Sequence, residues 1–398
     1  MSVERFDVAI LGGGLAGLST AAALTASTRL SVALVEMRPN PPKGARAVYN
    51  DTIQKFGLQD AVLRAYTGMV YRSASGTAAY FDYGDEDSLS ALDYRLACAI
   101  LLGRARDDGL ELRSGRAVGM ERSGDLRLLL TGGSQIETRM LVDASGAAQW
   151  TARQLGVRPS AYASLCYGEI LRGCAVEQPH AFTFLAPSSR YGNGGGWFYP
   201  LDDSAASFGY SLVTPNPGQP RDTAWRYHAA RAEFQPFARQ VQGARVEAIE
   251  GGAVPLGRVS RFCDDGILRV GDAGGQAHAW SVEGCRPALE NGLLAAEVIA
   301  GAFDANRFDR AALSAFERAW LRDNHERFWR TESAADVVWS RPDARWEQFL
   351  RRYARYSGPA QYWQLRENRA GLFAQVYAVL GYARRRALRA LRARRPGR

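Results

Sequence analysis

The chain has 398 residues, 50 Lys plus Arg against 41 Asp plus Glu, and a formal net charge of +9. That length exceeds one ordinary core and calls for two or three domains, and 46% apolar residues exclude a disordered chain. No apolar run approaches the ~20 residues that cross a bilayer, and no charged or apolar leader precedes the first strand, so neither a transmembrane helix nor a signal peptide is expected. The charge is local: eight arginines and no acids lie between Arg384 and Arg398, which leaves the rest of the chain close to neutral and argues against nucleic acid as a partner. Cys98, Cys166, Cys174, Cys263 and Cys285 have neither CxxC nor Cys/His spacing. They read as reduced thiols of a cytoplasmic protein, with no metal site.

In chain order, the apolar strand Asp7–Leu11 ends in Gly12, Gly14 and Gly17 and passes into a small-residue helix, Leu18 to Ala26. A second apolar run, Leu30 to Val35, ends in Glu36. This is a dinucleotide-binding βαβ unit: Gly12 for the tight turn, Gly14 for backbone approach to a pyrophosphate, Gly17 for close helix–strand packing. The N–H groups of Leu15 and Ala16 at the helix start face the phosphates, and Glu36 accepts the adenosine ribose hydroxyls. A Pro-rich loop, Met37 to Ala47, carries Arg46, whose planar fork suits a pyrophosphate or a ring edge.

Asp51 to Leu63 then predicts a helix and Met69 to Tyr83 a hairpin that turns at Gly76. A helix over Leu92 to Ala105 opens with Arg95, a second candidate for the cofactor. Short strands at Leu110–Arg113, Ala117–Arg122, Leu126–Leu130 and Ile136–Val142 form a meander ending in Asp143-Ala-Ser-Gly146, which reads either as a second cofactor motif or as a plain strand-terminating turn, before a helix over Gln149 to Leu155. Between Tyr162 and Val254 the pattern turns aromatic and strand-like, at Cys166–Leu171, Ala181–Leu185, Gly195–Tyr199 and Ser207–Val213, with a helix over Ala224 to Val241. Gly192-Asn-Gly-Gly-Gly196 reads as a loop, so no second dinucleotide fingerprint is present.

The chain then returns to nucleotide-domain character. Leu268-Arg-Val-Gly271-Asp272 with Glu283-Gly284 and a following helix makes chemical sense as a flavin site. Asp272 would hold a ribityl hydroxyl, and the helix after Gly284, with Pro287 near its first turn, would aim N–H groups at the pyrimidine edge of the ring.

These three motifs in this order resemble the flavoproteins of the para-hydroxybenzoate hydroxylase fold class, and within it the geranylgeranyl reductase family, related to lycopene cyclases. The family's aromatic-x-Trp-x-Phe-Pro signature, with Gly-x-Gly downstream, is matched by Trp197, Pro200 and Gly209. Tyr199 stands for Phe, Gly195 for the first aromatic and Ser211 for the last Gly. The family's GDAAG…P…GEG segment aligns on Gly271 to Gly284, with Ala279 and Val282 in place of Pro and Gly. The resemblance runs from residue 5 to about 300. The loop after Glu36 lacks the cysteine of many such reductases, and Ser207–Val213 lacks the acidic pair that cyclases use. Glu169 could supply an acid, but a strand Glu is more often a solvated or ion-paired residue.

The resemblance implies an α/β fold: a Rossmann-type FAD-binding domain with an inserted antiparallel-sheet substrate domain and a helical C-terminal region. The division reads 1–68, 92–160 and 256–303 for FAD binding, 69–91 and 161–255 for the substrate side, and 304–398 for the helical region. The implied activity is transfer of hydride from reduced FAD to C=C bonds of a hydrophobic isoprenoid. Trp197, Tyr199 and Tyr210 would line the substrate side. The alternatives are a flavin monooxygenase of the same fold or a cyclase-like flavoprotein that catalyses no net redox change. Halogenation needs an active-site lysine that neither Lys43 nor Lys55 matches. NAD(P)H, a ferredoxin and another flavoprotein all remain open as electron donor. Phe373 to Arg395 reads as a basic amphipathic helix, which would attach the protein peripherally to anionic membrane.

Overall fold

The computed structural model describes residues 3–38, 41, 44–82, 89–191, 194–215, 221–279, 282–322 and 343–353. Its fold is mixed α/β. β1 (Val3–Leu11), α1 (Leu15–Ser27) and β2 (Val32–Glu36) form the first unit, with β1 and β2 parallel. β3 (Ala45–Tyr49), the short helix α2 (Asn50–Lys55) and β4 (Val62–Ala65) follow. The helix expected to reach Leu63 stops at Lys55, because Gly57 takes a left-handed φ of +60° that ends it. β5 (Gly68–Arg72) and β6 (Ala78–Asp82) are the expected hairpin, turning at Gly76. β7 (Leu89–Asp93) precedes α3 (Tyr94–Asp107), whose Asp93 side chain accepts from the Leu96 amide at the N-cap.

β8 (Glu111–Ser114) is not part of the meander: it pairs in parallel with β2. β9 (Ala117–Ser123), β10 (Asp125–Leu130) and β11 (Gln135–Asp143) do form one, and β11 runs parallel to β1. After α4 (Trp150–Gln154) come β12 (Tyr162–Arg172), β13 (Ala181–Ser188), β14 (Gly194–Pro200) and β15 (Ala205–Pro215). Gly194 to Gly196 thus belong to a strand rather than a loop. A Cβ at Gly194 would lie 2.4 Å from the Ser211 carbonyl oxygen.

The helix expected over 224–241 divides into α5 (Arg221–Glu233) and α6 (Gln235–Ala238), with Pro236 in the first turn of α6. β16 (Arg245–Leu256) is followed by β17 (Cys263–Asp264), β18 (Ile267–Arg269), α7 (Cys285–Asp304), α8 (310–322) and α9 (Asp343–Tyr353). The basic segment 373–395 lies outside the described residues.

One sheet runs β17-β18-β11-β1-β2-β8, a second runs β16-β12-β15-β14-β13-β5-β6, and β3, β7 and β4 make a small third. The first is sandwiched between apolar clusters built on Val8, Ile10 and Leu34 on one face and on Ala9, Leu11 and Val35 on the other. A strand buried on both faces reads as a continuous apolar run, which is how β1 and β2 look in sequence.

α1 and α7 cross at close range. The Ser19 hydroxyl donates to the Leu289 carbonyl at 2.7 Å, and a Cβ at Gly292 would meet Ser19 Cβ at 2.7 Å. This crossing brings the N-termini of both helices to one side of the sheet, where β11 and β18 also end.

Candidate active site

The first turn is built as its glycines require. Gly12 has φ of +109°, and a Cβ there would fall 2.3 Å from the Ala144 carbonyl oxygen; one at Gly17 would fall 2.0 Å from the Gly12 carbonyl oxygen. Gly14 caps α1 without a side-chain hydrogen bond, leaving the first N–H groups to a ligand. Glu36 accepts from the Gly13 amide at 2.6 Å through Oε2 and from the Arg38 amide at 2.6 Å through Oε1, which fixes its carboxylate beside that turn.

Gly271 has φ of +60°, and a Cβ there would meet Ala16 Cβ at 2.8 Å, so this glycine lets the third motif close on the first. Asp272 follows. Burial alone pushes its carboxyl up to about 6, and among the described residues no hydrogen bond reaches that carboxylate. Gly284 caps α7 without a side-chain bond, as Gly14 does α1. Asp143 serves differently. Its carboxylate accepts from the Ser145 amide at 3.0 Å and from the Thr151 amide and hydroxyl at 2.7 and 2.6 Å, so it holds its own turn and the start of α4.

A cavity of about 490 Å³ runs from Gly14, Leu15 and Ala16 past Asp272 and Gly284 to an aromatic wall on the second sheet. There Tyr199 stacks on Phe182 (centroids 4.7 Å, 24°) and lies parallel to Trp197 (6.0 Å, 24°), while Tyr71 stacks on Phe184 (5.3 Å, 17°). Trp346 of α9 borders the same space. Burial raises the Tyr199 phenol well above its ordinary value, so it stays protonated. The thiols of Cys166 and Cys285 also line the cavity, and burial raises both, Cys285 to about 11, which makes them poor nucleophiles.

Arg46, on β3, enters the cavity. Its guanidinium lies 5.2 Å from the Tyr94 ring centroid, and the Tyr94 hydroxyl is 3.4 Å from where a Cβ of Gly14 would stand. Burial, the largest single influence, pulls this guanidinium down, but Glu250, 3.2 Å away, together with Cys285, Tyr94 and Tyr199 holds it above the ordinary arginine value. At the far end of the flavin-type loop, Glu283 bonds Arg286 at 2.8 Å and His278 at 3.1 Å. Burial pushes its carboxyl up, and the hydrogen bonds and charge of these two partners more than reverse that, to about 2.

Two expected residues lie elsewhere. Tyr210 does not line the cavity: it points to the opposite face of its sheet, fully buried, with its hydroxyl donating to the Tyr191 carbonyl at 3.0 Å. In β15, Ser207, Gly209 and Ser211 take the cavity side, and strand alternation sends Tyr210 the other way. Arg95 is exposed on α3 and does not border the cavity, whereas its neighbour Tyr94 does. Glu169 shares the face of Tyr210, accepting from Tyr227 at 2.6 Å and pairing with Arg231, so it is an ion-paired strand residue. Lys55 pairs with Glu290 at 3.9 Å on the surface.

The residue that sequence reasoning passed over is Glu250. Its side chain is 2% exposed and borders the cavity from β16. The one local signal was an acid before the strand glycines Gly251 and Gly252. A Cβ on Gly251 would lie 2.7 Å from the Cys166 carbonyl oxygen.

Residues 7–177 match the lycopene cyclase protein family. Across 335 residues the chain is 26% identical to digeranylgeranylglycerophospholipid reductase 2 of Methanopyrus kandleri, covering 79% of this chain and 82% of that protein. It is 27% identical over 341 residues to the enzyme of the same name from Methanothermobacter thermautotrophicus, covering 80% and 84%. Its fold resembles a geranylgeranyl bacteriochlorophyll reductase-like protein of Thermoplasma acidophilum, with TM-score 0.81, 15% identity and coverage of 95% and 96%. It also resembles the flavin-dependent brominase Bmp2, with TM-score 0.68, 20% identity and coverage of 92% and 98%. The chain is thus similar in sequence to named geranylgeranyl-lipid reductases and in fold to a reductase-like protein and a flavin-dependent brominase.

Proposed function

We propose that this relative of the geranylgeranyl reductases is an FAD-dependent oxidoreductase that saturates C=C bonds of a hydrophobic, isoprenoid substrate. The observation that carries the reading is the one cavity that joins the dinucleotide turn, Asp272 and the α7 N-terminus to the aromatic wall of Trp197, Tyr199 and Phe182.

The cofactor is FAD, and the residues fit it. Two uncapped helix starts meet at the cavity, Glu36 is fixed beside the first turn, and the buried Asp272 carboxylate lacks a protein donor among the described residues. Gly12, Gly14, Leu15, Ala16, Gly17, Glu36, Gly271, Asp272 and Gly284 would hold it, with Arg46 beside it. Bound there, the flavin supplies hydride chemistry. The protein's part is placement: the stacked rings give an alkene chain a flat apolar bed and exclude water.

A cyclase reading needs a carboxylic acid to protonate an alkene. Glu250 borders the cavity beside Ser207, but both of its carboxylate oxygens are engaged there, accepting from the Ala45 amide, Arg46 and the Ser207 hydroxyl. The expected domain division, with 69–91 and 161–255 inserted on the substrate side, is part of the same proposal. So is peripheral attachment to anionic lipid through residues 373–395.

The test uses full-length protein, which should be yellow and release FAD on heat denaturation. Reduced anaerobically with dithionite, it should add two hydrogens per double bond to geranylgeraniol or a geranylgeranyl phospholipid, read by mass spectrometry. A colourless protein that FAD cannot reconstitute overturns the flavin reading. Oxygen consumption that rises with substrate, and an oxygenated product, would replace reduction by monooxygenation.

A further inference from the structure

Trp197 on β14, Gly209 on β15, Gly168 on β12 and Glu250 on β16 stand opposite one another in a single row across the second sheet. The two central members have no side chains, so the row is open between the indole and the carboxylate. The indole lies over both glycines: Cβ atoms built on Gly209 and Gly168 would stand 2.1 and 3.0 Å from its Cζ2. Its Nε1–H donates to the Ser207 hydroxyl at 3.1 Å, and that hydroxyl donates to Glu250 Oε2 at 2.5 Å. The other carboxylate oxygen accepts from the Ala45 amide at 2.5 Å and from Arg46 Nη1 at 3.2 Å. One buried carboxylate therefore ties the β3 strand beside the dinucleotide turn to the aromatic wall.

We infer that Glu250 is the positioning residue of this cavity, setting Arg46 on the flavin side and, through Ser207, the Trp197 indole on the substrate side, while neutralising the Arg46 charge beside the cofactor. The inference rests on the FAD reading above. The carboxylate is buried while the Arg46 side chain keeps 39% of its surface exposed, so loss of Glu250 would leave a partly screened positive charge uncompensated in the cavity that would hold the flavin. Reduced flavin is anionic and gains from such a charge more than oxidised flavin does.

The experiment measures the flavin midpoint potential of the full chain by dye-coupled anaerobic titration, in the wild type and in Glu250→Gln, Arg46→Gln and the double variant. Glu250→Gln should move the potential upward and Arg46→Gln downward, and the double variant should return toward the wild type. A merely structural role gives no such opposed pair. Ser207→Ala leaves the ion pair intact, so it should keep the wild-type potential and shift only the Trp197 emission, isolated by subtracting Trp197→Phe. Unchanged potentials in both single variants, or shifts of the same sign, overturn the inference. If Glu250→Gln does not fold, the double variant, which leaves neither charge unpaired, is compared with Arg46→Gln: a higher potential in the double variant supports the inference and an equal one overturns it. Failure of the FAD reading is seen separately, as a wild type that binds no flavin.

Discussion

Trp197 lies flat on Gly209, so close that a Cβ on that glycine would fall 2.1 Å from the indole Cζ2. The two residues are opposite members of the β14–β15 ladder. Their joint presence in the sequence signature therefore has a steric cause: the glycine is the seat of the ring. Gly209→Ala should push the indole into the cavity at about 1–3 kcal/mol, the usual range for overpacking. A lower melting temperature together with a changed Trp197 emission checks it. An unchanged emission would mean that the ring has another seat.

Asp272 sets a pH dependence on cofactor binding. Its folded-state carboxyl is raised to about 6 by burial, so the stability tied to its proton is fully present below the ordinary carboxylate value of about 3.9 and is lost as pH rises through about 6. A ribityl hydroxyl donating to the ionised form reverses this, so FAD affinity should rise roughly tenfold between about pH 5 and 7. Fluorescence titration of FAD across that window checks it, with Asp272→Asn expected to be flat. Asp272→Ala should also lose flavin more readily than Asp143→Ala, whose carboxylate is engaged with Ser145 and Thr151.

Val282 carries backbone strain at the cavity edge. It is a β-branched residue at φ of +56° in the place where the resembling motif has glycine. Val282→Gly should relieve about 1 kcal/mol and raise the melting temperature of flavin-free protein. A lower melting temperature would show that packing of the isopropyl group outweighs the strain.

The two candidate arginines should separate cleanly. Arg46→Ala is expected to weaken FAD binding and alter the bound flavin spectrum, because its guanidinium shares the cavity with Gly14 and Gly284. Arg95→Ala, at an exposed position outside the cavity, should change neither. Equal losses in both would retire Arg46 as a specific contact.

The basic segment invites a truncation after Leu380. Full-length protein should sediment with anionic liposomes, stay off neutral ones and dissociate at high salt, at roughly 1 kcal/mol per basic side chain near the surface. The truncated form should stay in the supernatant and keep its flavin. Equal binding by both would remove the tail from membrane attachment.

What the sequence by itself determined is short-range geometry. Gly12, Gly14 and Gly17, with Glu36 at the next strand end, define a turn whose parts lie within one βαβ unit, and Gly271-Asp272 repeats that logic at a second strand end. Steric needs of this kind act between near neighbours, so they are written in the order of residues. The parallel order of β1, β2 and β11 and the antiparallel ladder of β16, β12, β15 and β14 followed for the same reason, from apolar runs and turn signals, whereas the parallel pairing of β13 with β5 in the aromatic sheet did not.

Tertiary structure decided which of two faces meets the cavity and which distant charges pair. β15 is buried on both sides, so alternation told Tyr210 from Gly209 without saying which one faces the ligand. Arg46 and Glu250 stand 204 residues apart and meet only because β3 docks against the second sheet. Such a pair leaves no periodic trace in sequence, since its partners are joined by sheet order rather than by chain order. For the same reason Arg95 and its neighbour Tyr94 were indistinguishable until α3 was set in place: one residue of helical rotation, about 100°, separates the solvent from the cofactor.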